Sequence, residues 1–500
     1  MNIARCLLLA MLFPLADVGS AADLDRAVLP VKAIPTKISV DELRQMDEAR
    51  IANLLAEPLF DLSPSFELIP VLAESVAWRD RGKTLHISLK HAVFSDGTAV
   101  RSDDVIRALS RCVRAADRSL AFTLQNIDGF QPFISGKAKT LLGLERTSDS
   151  EMDIHLASPS PLLPDSLTFE NCAIIKGPSD LLAGGLGTGP YQLESANATS
   201  IVLRKRAQYH SANAGPERVE YRATDDWGNY SRLKDWATLI LTEDDPGQTP
   251  DYNKIENSDL GGYMLMFNNA RGPFSDERLR EAVSISADLD LLAKGMGWSK
   301  ERLQSGLFPF GMRGFQLRNP RRDIVRAKKL LAAAGYSDGK PLTFEIFIAK
   351  TKTAAKEAEL WPSAFSGVPI RASVAVVPQG EIVDRTKNGD FQALRVIKFP
   401  GSVDGHRLLV SFYTGSTYNT PRAHQPRCDA LIRDALSIAD VDTRYAKYAQ
   451  ADECLMSHHI LLPLSTVQPG FVLLRKPWST TSQNRYYVRP YHVHWWKHDN

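Results

Sequence analysis

Ile51, Leu54, Leu55 and Leu59 recur at helical spacing, so residues 41–59 predict an amphipathic helix with one apolar face. Leu85, Ile87 and Leu89 alternate strictly after the polar turn Asp80-Arg81-Gly82-Lys83, with Trp78 before it, which predicts a β-hairpin. Ser95-Asp96-Gly97 reads as a second turn, and Ser102-Asp103-Asp104 as the cap of a helix through Val105, Ile106 and Leu109. Two strands are expected around Ser148-Asp149-Ser150, and strands again at 172–175 and 191–203. From Pro273 the pattern changes to helices separated by single strands, such as 342–348 and 374–377. A helix through Ala327, Leu330 and Leu331 stops at Gly335, the residue type most at ease in the left-handed conformation at a helix end. Apolar runs follow at 460–464 and 471–474. The mixture is that of an α/β protein.

Composition sets bounds. At 500 residues, 44% apolar and 24% charged, the chain can bury ample core and favours more than one domain. Lys plus Arg at 60 against Asp plus Glu at 58 leaves almost no net charge, which offers nothing to a nucleic acid. Arg5 precedes an apolar run over 6–15, and Ser20-Ala21-Ala22 supplies small residues for cleavage, so 1–22 is expected to be a signal peptide. That run is too short to span a bilayer, and Cys6 stands at its start rather than after it. A free, soluble periplasmic protein is expected instead of a lipoprotein. Removal of the leader would leave Cys112, Cys172, Cys428 and Cys454, an even number in an oxidising compartment, with three possible connectivities and four buried thiols as the alternative.

Catalytic motifs are missing. Gly82-Lys83-Thr84 has Ala77 where a phosphate-binding loop needs glycine, and Gly185-Leu186-Gly187-Thr188-Gly189 runs into Pro190 where a dinucleotide fingerprint needs another glycine. Neither a G-x-S-x-G elbow nor an H-E-x-x-H helix occurs. Cys454 with His458, and His492 with His494, have spacings that suit zinc, though a helix end and a tail explain them as well.

Ordered blocks carry a family likeness. Glu57-Pro58-Leu59-Phe60-Asp61 is followed by Ile69-Pro70-Val71-Leu72-Ala73-Glu74-Ser75 with Trp78, then Phe94-Ser95-Asp96-Gly97-Thr98 with Asp103-Asp104-Val105. Gly187-Thr188-Gly189-Pro190-Tyr191-Gln192-Leu193, Ile201-Val202-Leu203-Arg204 with Tyr209, and Met266-Phe267-Asn268-Asn269 come next. Pro273-Phe274-Ser275-Asp276, Arg278-Leu279-Arg280-Glu281-Ala282 and the helix ending at Gly335-Tyr336 complete the series. The chain resembles the extracellular solute-binding proteins of family 5, the peptide- and nickel-binding receptors of ABC importers.

The resemblance implies a two-lobed periplasmic binding protein of class II, cluster C type, with an extra inserted domain. Lobe I would be assembled from 23–50, 176–262 and 478–500, the inserted domain II from 51–175, and lobe III from 263–477. Within that plan the pairing Cys112–Cys172 and Cys428–Cys454 is favoured, because each bridge stays in one lobe. A peptide or peptide-like solute would bind between the lobes of a monomer, without cofactor, and pass to an inner-membrane permease and its ATPase. Runner-up readings are a receptor for a nickel or other metal chelate and, behind it, a periplasmic hydrolase or a sensor on the same fold.

Site residues follow by position. Thr36 and Lys37 would lie on the lobe I edge of the cleft, in a strand leading to the first helix, and Phe399, Ser402, Asp404, His406, Tyr418 and Asn419 on the lobe III side. Peptide-binding members carry an aspartate near the position of Gly401, which this chain lacks. Asp404-Gly405-His406 instead resembles the turn of nickel-chelate binders, with His406 the candidate metal ligand, or else simply the opening of a helix capped by Asp404. Arg107, Arg111 and Arg114 share one helical face that could hold a chelator's carboxylates or be an ordinary solvated face.

Overall fold

The computed structural model describes residues 25–43, 45–63, 67–115, 123–257, 261–317, 322–400, 404–416, 419–468, 470–480 and 493–498. Residues 1–22, where a signal peptide is expected, and Ser402, Tyr418 and His492 lie outside them.

Strand Arg26–Val31 pairs in parallel with Arg218–Ala223, and Ser200–Lys205 and Tyr191–Ala196 extend this sheet by antiparallel pairing. A neighbouring sheet places Gly470–Arg475 between Leu239–Thr242 and Tyr252–Asn257. Leu29, Ile51, Leu55, Tyr221, Leu474 and Trp496 bury one common core, which defines lobe I. By the side chains they bury, residues 51–56 and strand Gly470–Arg475 go with lobe I, whereas the expected ranges put them in domain II and lobe III. The first helix runs Met46–Leu55, shorter than the 41–59 expected. Pro58 pushes Glu57 toward extended backbone, so Leu59 is buried beyond the helix. Residues 34–39 form no strand beyond a single bridge between Ser39 and Asp180.

Residues 59–174 bury a separate core and make domain II. Its antiparallel sheet runs Ala73–Arg79, Thr84–Leu89, Glu151–His155, Leu144–Arg146. Leu85, Ile87 and Leu89 point into the core as their alternation requires, under helix Ser102–Ala115. A disulfide joins Cys112 on that helix to Cys172.

Lobe III is built on a sheet in the order Ile370–Val377, Leu342–Ala349, Ala393–Lys398, Gly262–Phe267, Leu461–Thr466. Helices Glu277–Ser286, Ile324–Ala333 and Ala354–Ala364 contribute Leu279, Leu331 and Trp361 to one core. Helices Pro426–Leu436 and Val441–Ser457, bridged by the disulfide Cys428–Cys454, cover Met264 and Met266 from the other side. Inside this lobe Arg395 and Glu357 form a buried ion pair at 2.8 Å.

Two neighbouring segments cross between lobes I and III. Tyr252–Asn257 leads into Gly262–Phe267, and Leu461–Thr466 leads back into Gly470–Arg475. Asn257 pairs with Gly470, Gly262 pairs with Thr466, and the Val467 amide donates to Gly261 O at 2.8 Å. Paired on both sides, the crossings have the form of a two-stranded hinge. Among the described residues no helix is long and apolar enough to cross a membrane.

Candidate functional site

The lobe III sheet reaches the hinge through Lys398, which pairs with Gly262, and Phe399 follows it. Phe399 is 54% exposed, and its ring lies so close to Gly261 that an added Cβ there would meet Cε1 at 2.6 Å. Glycine at 261 is thus what lets this aromatic sit beside the crossing. Burial pushes the Lys398 amine down to about 8, and its Nζ lies 3.5 Å from Thr420 Oγ1. On the lobe I side Thr36 and Lys37 are exposed, with Lys37 Nζ 3.3 Å from Glu42 Oε2. Thr36, Lys37 and Phe399 are exposed, and Lys398 is half-buried at the end of its lobe III strand.

The Asp404-Gly405-His406 turn is built inward. Asp404 Oδ1 accepts from the Tyr448 hydroxyl at 2.5 Å, and Oδ2 from Arg444 Nη2 at 2.7 Å. Burial alone would raise its pKa, but His406, Tyr448 and Arg444 together hold the carboxyl well below the usual range. Helix His406–Val410 is capped by Gly405, at φ +77°, so Asp404 is spent on Arg444 and Tyr448 and not on capping. His406 is 2% exposed, with Nδ1 3.3 Å from Asp404 Oδ1 and Nε2 3.5 Å from Asp165 Oδ2 of domain II. An imidazole enclosed by two carboxylates is not presented to an incoming chelate. Asn419 is likewise occupied: its amide donates to Ala423 O at 2.6 Å and its Oδ1 accepts from the Ala423 amide at 2.9 Å.

The three arginines of helix Ser102–Ala115 do not converge on one anion. Arg107 pairs with Asp104, Arg111 reaches Asp41 at 2.8 Å and Ala173 O at 2.5 Å, and Arg114 lies over the Phe133 ring at 4.3 Å. Cys454 is oxidised with Cys428, and His458 Nδ1 lies 3.2 Å from Glu277 Oε1, so their spacing makes no zinc pair.

Sequence reasoning missed a polar cluster at the junction of lobe I and domain II. Glu57 accepts from the Tyr209 hydroxyl and lies 3.5 Å from His210 Nε2, beside a small cavity also lined by Asn53, Asp61 and Lys90. Burial raises Glu57 to about 8 and lowers His210 to about 4. At neutral pH this is a contact between a protonated carboxyl and a neutral imidazole. Glu57 and Tyr209 both belong to the family-like sequence blocks, but only the fold brings them together. Asp165, Arg444 and Tyr448 carried no local signal.

A profile described as "Bacterial extracellular solute-binding proteins, family 5 Middle" matches residues 67–420. The chain belongs to this family. Among family 5 relatives, the probable deoxycholate-binding periplasmic protein YgiS of Escherichia coli K12 is 25% identical over 476 residues, 88% of each chain. The periplasmic oligopeptide-binding protein OppA of the same organism is 25% identical over 492 residues, 90% of each. The crystal structure of Haemophilus influenzae OppA in complex with RPPGFSPFR shares the fold, with a TM-score of 0.77 at 19% identity over 95% of this chain and 99% of that one. Two lobes joined by a hinge, with an inserted domain, are thus the family 5 architecture in this chain.

Proposed function

We propose that this chain is a periplasmic receptor that encloses a peptide or peptide-like solute between lobes I and III and delivers it to an inner-membrane permease driven by an ATPase. The two-stranded hinge is the observation that carries the reading. A pair of adjacent crossings allows the lobes to rotate about one line, and a solute that touches both lobes binds the closed form more tightly than the open one. Membership of family 5 and relatives named for binding rather than catalysis support the same reading. Extended peptides suit such a cleft because backbone pairing and trapped water give affinity with little demand on side chains. Thr36 and Lys37 from lobe I and Lys398 and Phe399 from lobe III are the proposed contacts. The metal-chelate alternative is weakened by the enclosure of His406.

Native mass spectrometry of protein purified from the periplasm, followed by denaturation and identification of what is released, tests the proposal. Short peptides are the expected finding. Recovery of a metal with an organic chelator, or of a steroid acid of the kind the YgiS name indicates, would overturn the peptide assignment.

A further inference from the structure

We propose that Asp165 and Phe169 of domain II and His406 and Arg407 of lobe III form a latch that holds the receptor shut and parts when the lobes open. The latch presupposes the hinged receptor described above, and it gives the inserted domain a task there as the surface on which lobe III closes.

Domain II is locked to lobe I. Arg206 of lobe I, itself buried, donates through Nη1 to Gly189 O at 2.8 Å and through Nη2 to Val93 O and Phe94 O of domain II at 2.8 and 2.9 Å. The Ser95 amide of domain II donates to Gly187 O at 2.9 Å, Asn171 Nδ2 to Val40 O at 2.8 Å, and Asn53 Nδ2 of lobe I to Glu170 Oε1 at 3.1 Å. Most of these bonds end on backbone carbonyls, which cannot swing aside as side chains do. Lobe I and domain II therefore turn as one body.

Lobe III meets that body through side chains. Arg407 Nη2 lies within 3.3 Å of both the backbone oxygen and the carboxylate of Asp165, the guanidinium covers the Phe169 ring at 3.7 Å, and His406 Nε2 is 3.5 Å from Asp165 Oδ2. Leu62 of domain II adds one apolar side chain, buried in the lobe III cluster with Leu408 and Phe412. A rotation about the line of the two crossings carries Arg407 away from Asp165, because contacts at hydrogen-bond distance do not survive a relative turn of the bodies that make them. The chemistry suits a contact that is made and broken. Ionic and polar groups regain their water when they separate, so the closed and parted forms stay close in free energy, whereas a wide apolar interface would fix the lobes together. Every partner in the latch comes from the chain itself, so a solute adds only its own contacts with the two lobes.

Small-angle X-ray scattering of the disulfide-intact mature chain, freed of bound solute by dialysis, tests the latch. Asp165→Ala and Arg407→Ala are each expected to increase the radius of gyration, whereas Lys352→Ala, which removes an exposed contact at 3.9 Å between lobe III and Asp244 of lobe I, leaves it unchanged. His406 supplies a second reading. It is 2% exposed behind the latch, and diethyl pyrocarbonate should modify it about 10-fold faster in both variants, the change that follows when an open form goes from about a tenth of the molecules to nearly all. The two substitutions stand in different domains, so a shared response reports the latch and not local damage at one site. A response confined to one variant, or absent from both, overturns the latch, even where a peptide is recovered from the native receptor. Opening of both variants upholds it, even where the recovered solute is no peptide.

Discussion

Arg407 of lobe III donates through one guanidinium nitrogen to Asp165 of domain II, Nη2 lying 3.1 Å from the Asp165 backbone oxygen and 3.3 Å from its carboxylate Oδ2. The same guanidinium lies over the Phe169 ring at 3.7 Å, and His406 approaches the same carboxylate. Domain II has its own core, so this clasp ties it to lobe III at a place separate from the hinge. Asp165→Ala is expected to cost about 3 kcal/mol, because it leaves two cationic or polar groups buried without their partner. A double-mutant cycle with Arg407→Ala, read by urea unfolding, should give a coupling of about 1–3 kcal/mol. Strict additivity would show that the contact contributes nothing.

Phe399 keeps over half its surface in water at the edge of the hinge, with its ring lying beside Gly261. Phe399→Ala is expected to leave thermal stability unchanged and to weaken solute binding about 10-fold, near 1.4 kcal/mol. Differential scanning fluorimetry and calorimetry with the solute recovered from the periplasm separate the two effects. Full affinity in the variant would remove Phe399 from the cleft.

Glu57 makes stability depend on pH. Folded, it keeps its proton to about pH 8, while in the unfolded chain it ionises near its ordinary 4.5. Between those values the folded state holds the extra proton, so stability falls as pH rises. His210, lowered to about 4, has the opposite slope below 6.5, and Asp452, raised to about 7 by burial, adds the same slope as Glu57 up to that value. From pH 7 to 8 Glu57 is the main source among these three. Unfolding free energies measured across that window should decline for the native chain and stay level for Glu57→Gln.

The bridge Cys428–Cys454 spans 26 residues and ties two packed helices of lobe III. Replacing both cysteines by alanine is expected to lower stability by about 3.5 kcal/mol through the entropy returned to the unfolded chain. Denaturant titration with and without reductant checks this: reductant also opens Cys112–Cys172 in both proteins, so the difference between native chain and variant should be present without it and vanish with it.

Local patterns were readable wherever neighbours in sequence are neighbours in space. Leu85, Ile87 and Leu89 announced a strand, and Ser102 with the apolar residues after it announced a helix, because both depend on contacts within a few residues. The lobed plan came only through family likeness, since periodicity says nothing about strands such as Arg26–Val31 and Arg218–Ala223 finding each other. The site residues are hidden in the sequence for the same reason. The helical face of Arg107, Arg111 and Arg114 was spaced as expected, yet Asp104, Asp41 and Phe133 draw each arginine to a different place. His406 looked available in sequence because the carboxylate of Asp165 that encloses it is supplied by another domain.

The position of Gly470–Arg475 as the middle strand of its sheet, with Val493 and Trp496 fully buried in the lobe I core, bears on the order in which the molecule can be completed. A chain emerging N-terminus first can finish domain II from one continuous stretch, but Leu239, Tyr252 and their neighbours stay uncovered until Gly470–Arg475 arrives. Lobe I is therefore sealed after domain II, by residues made more than two hundred positions later than the strands they cover. A chain lacking Gly470–Arg475 and the segment of Val493 and Trp496 would display its unsealed interior to proteases, so these late residues protect the early ones.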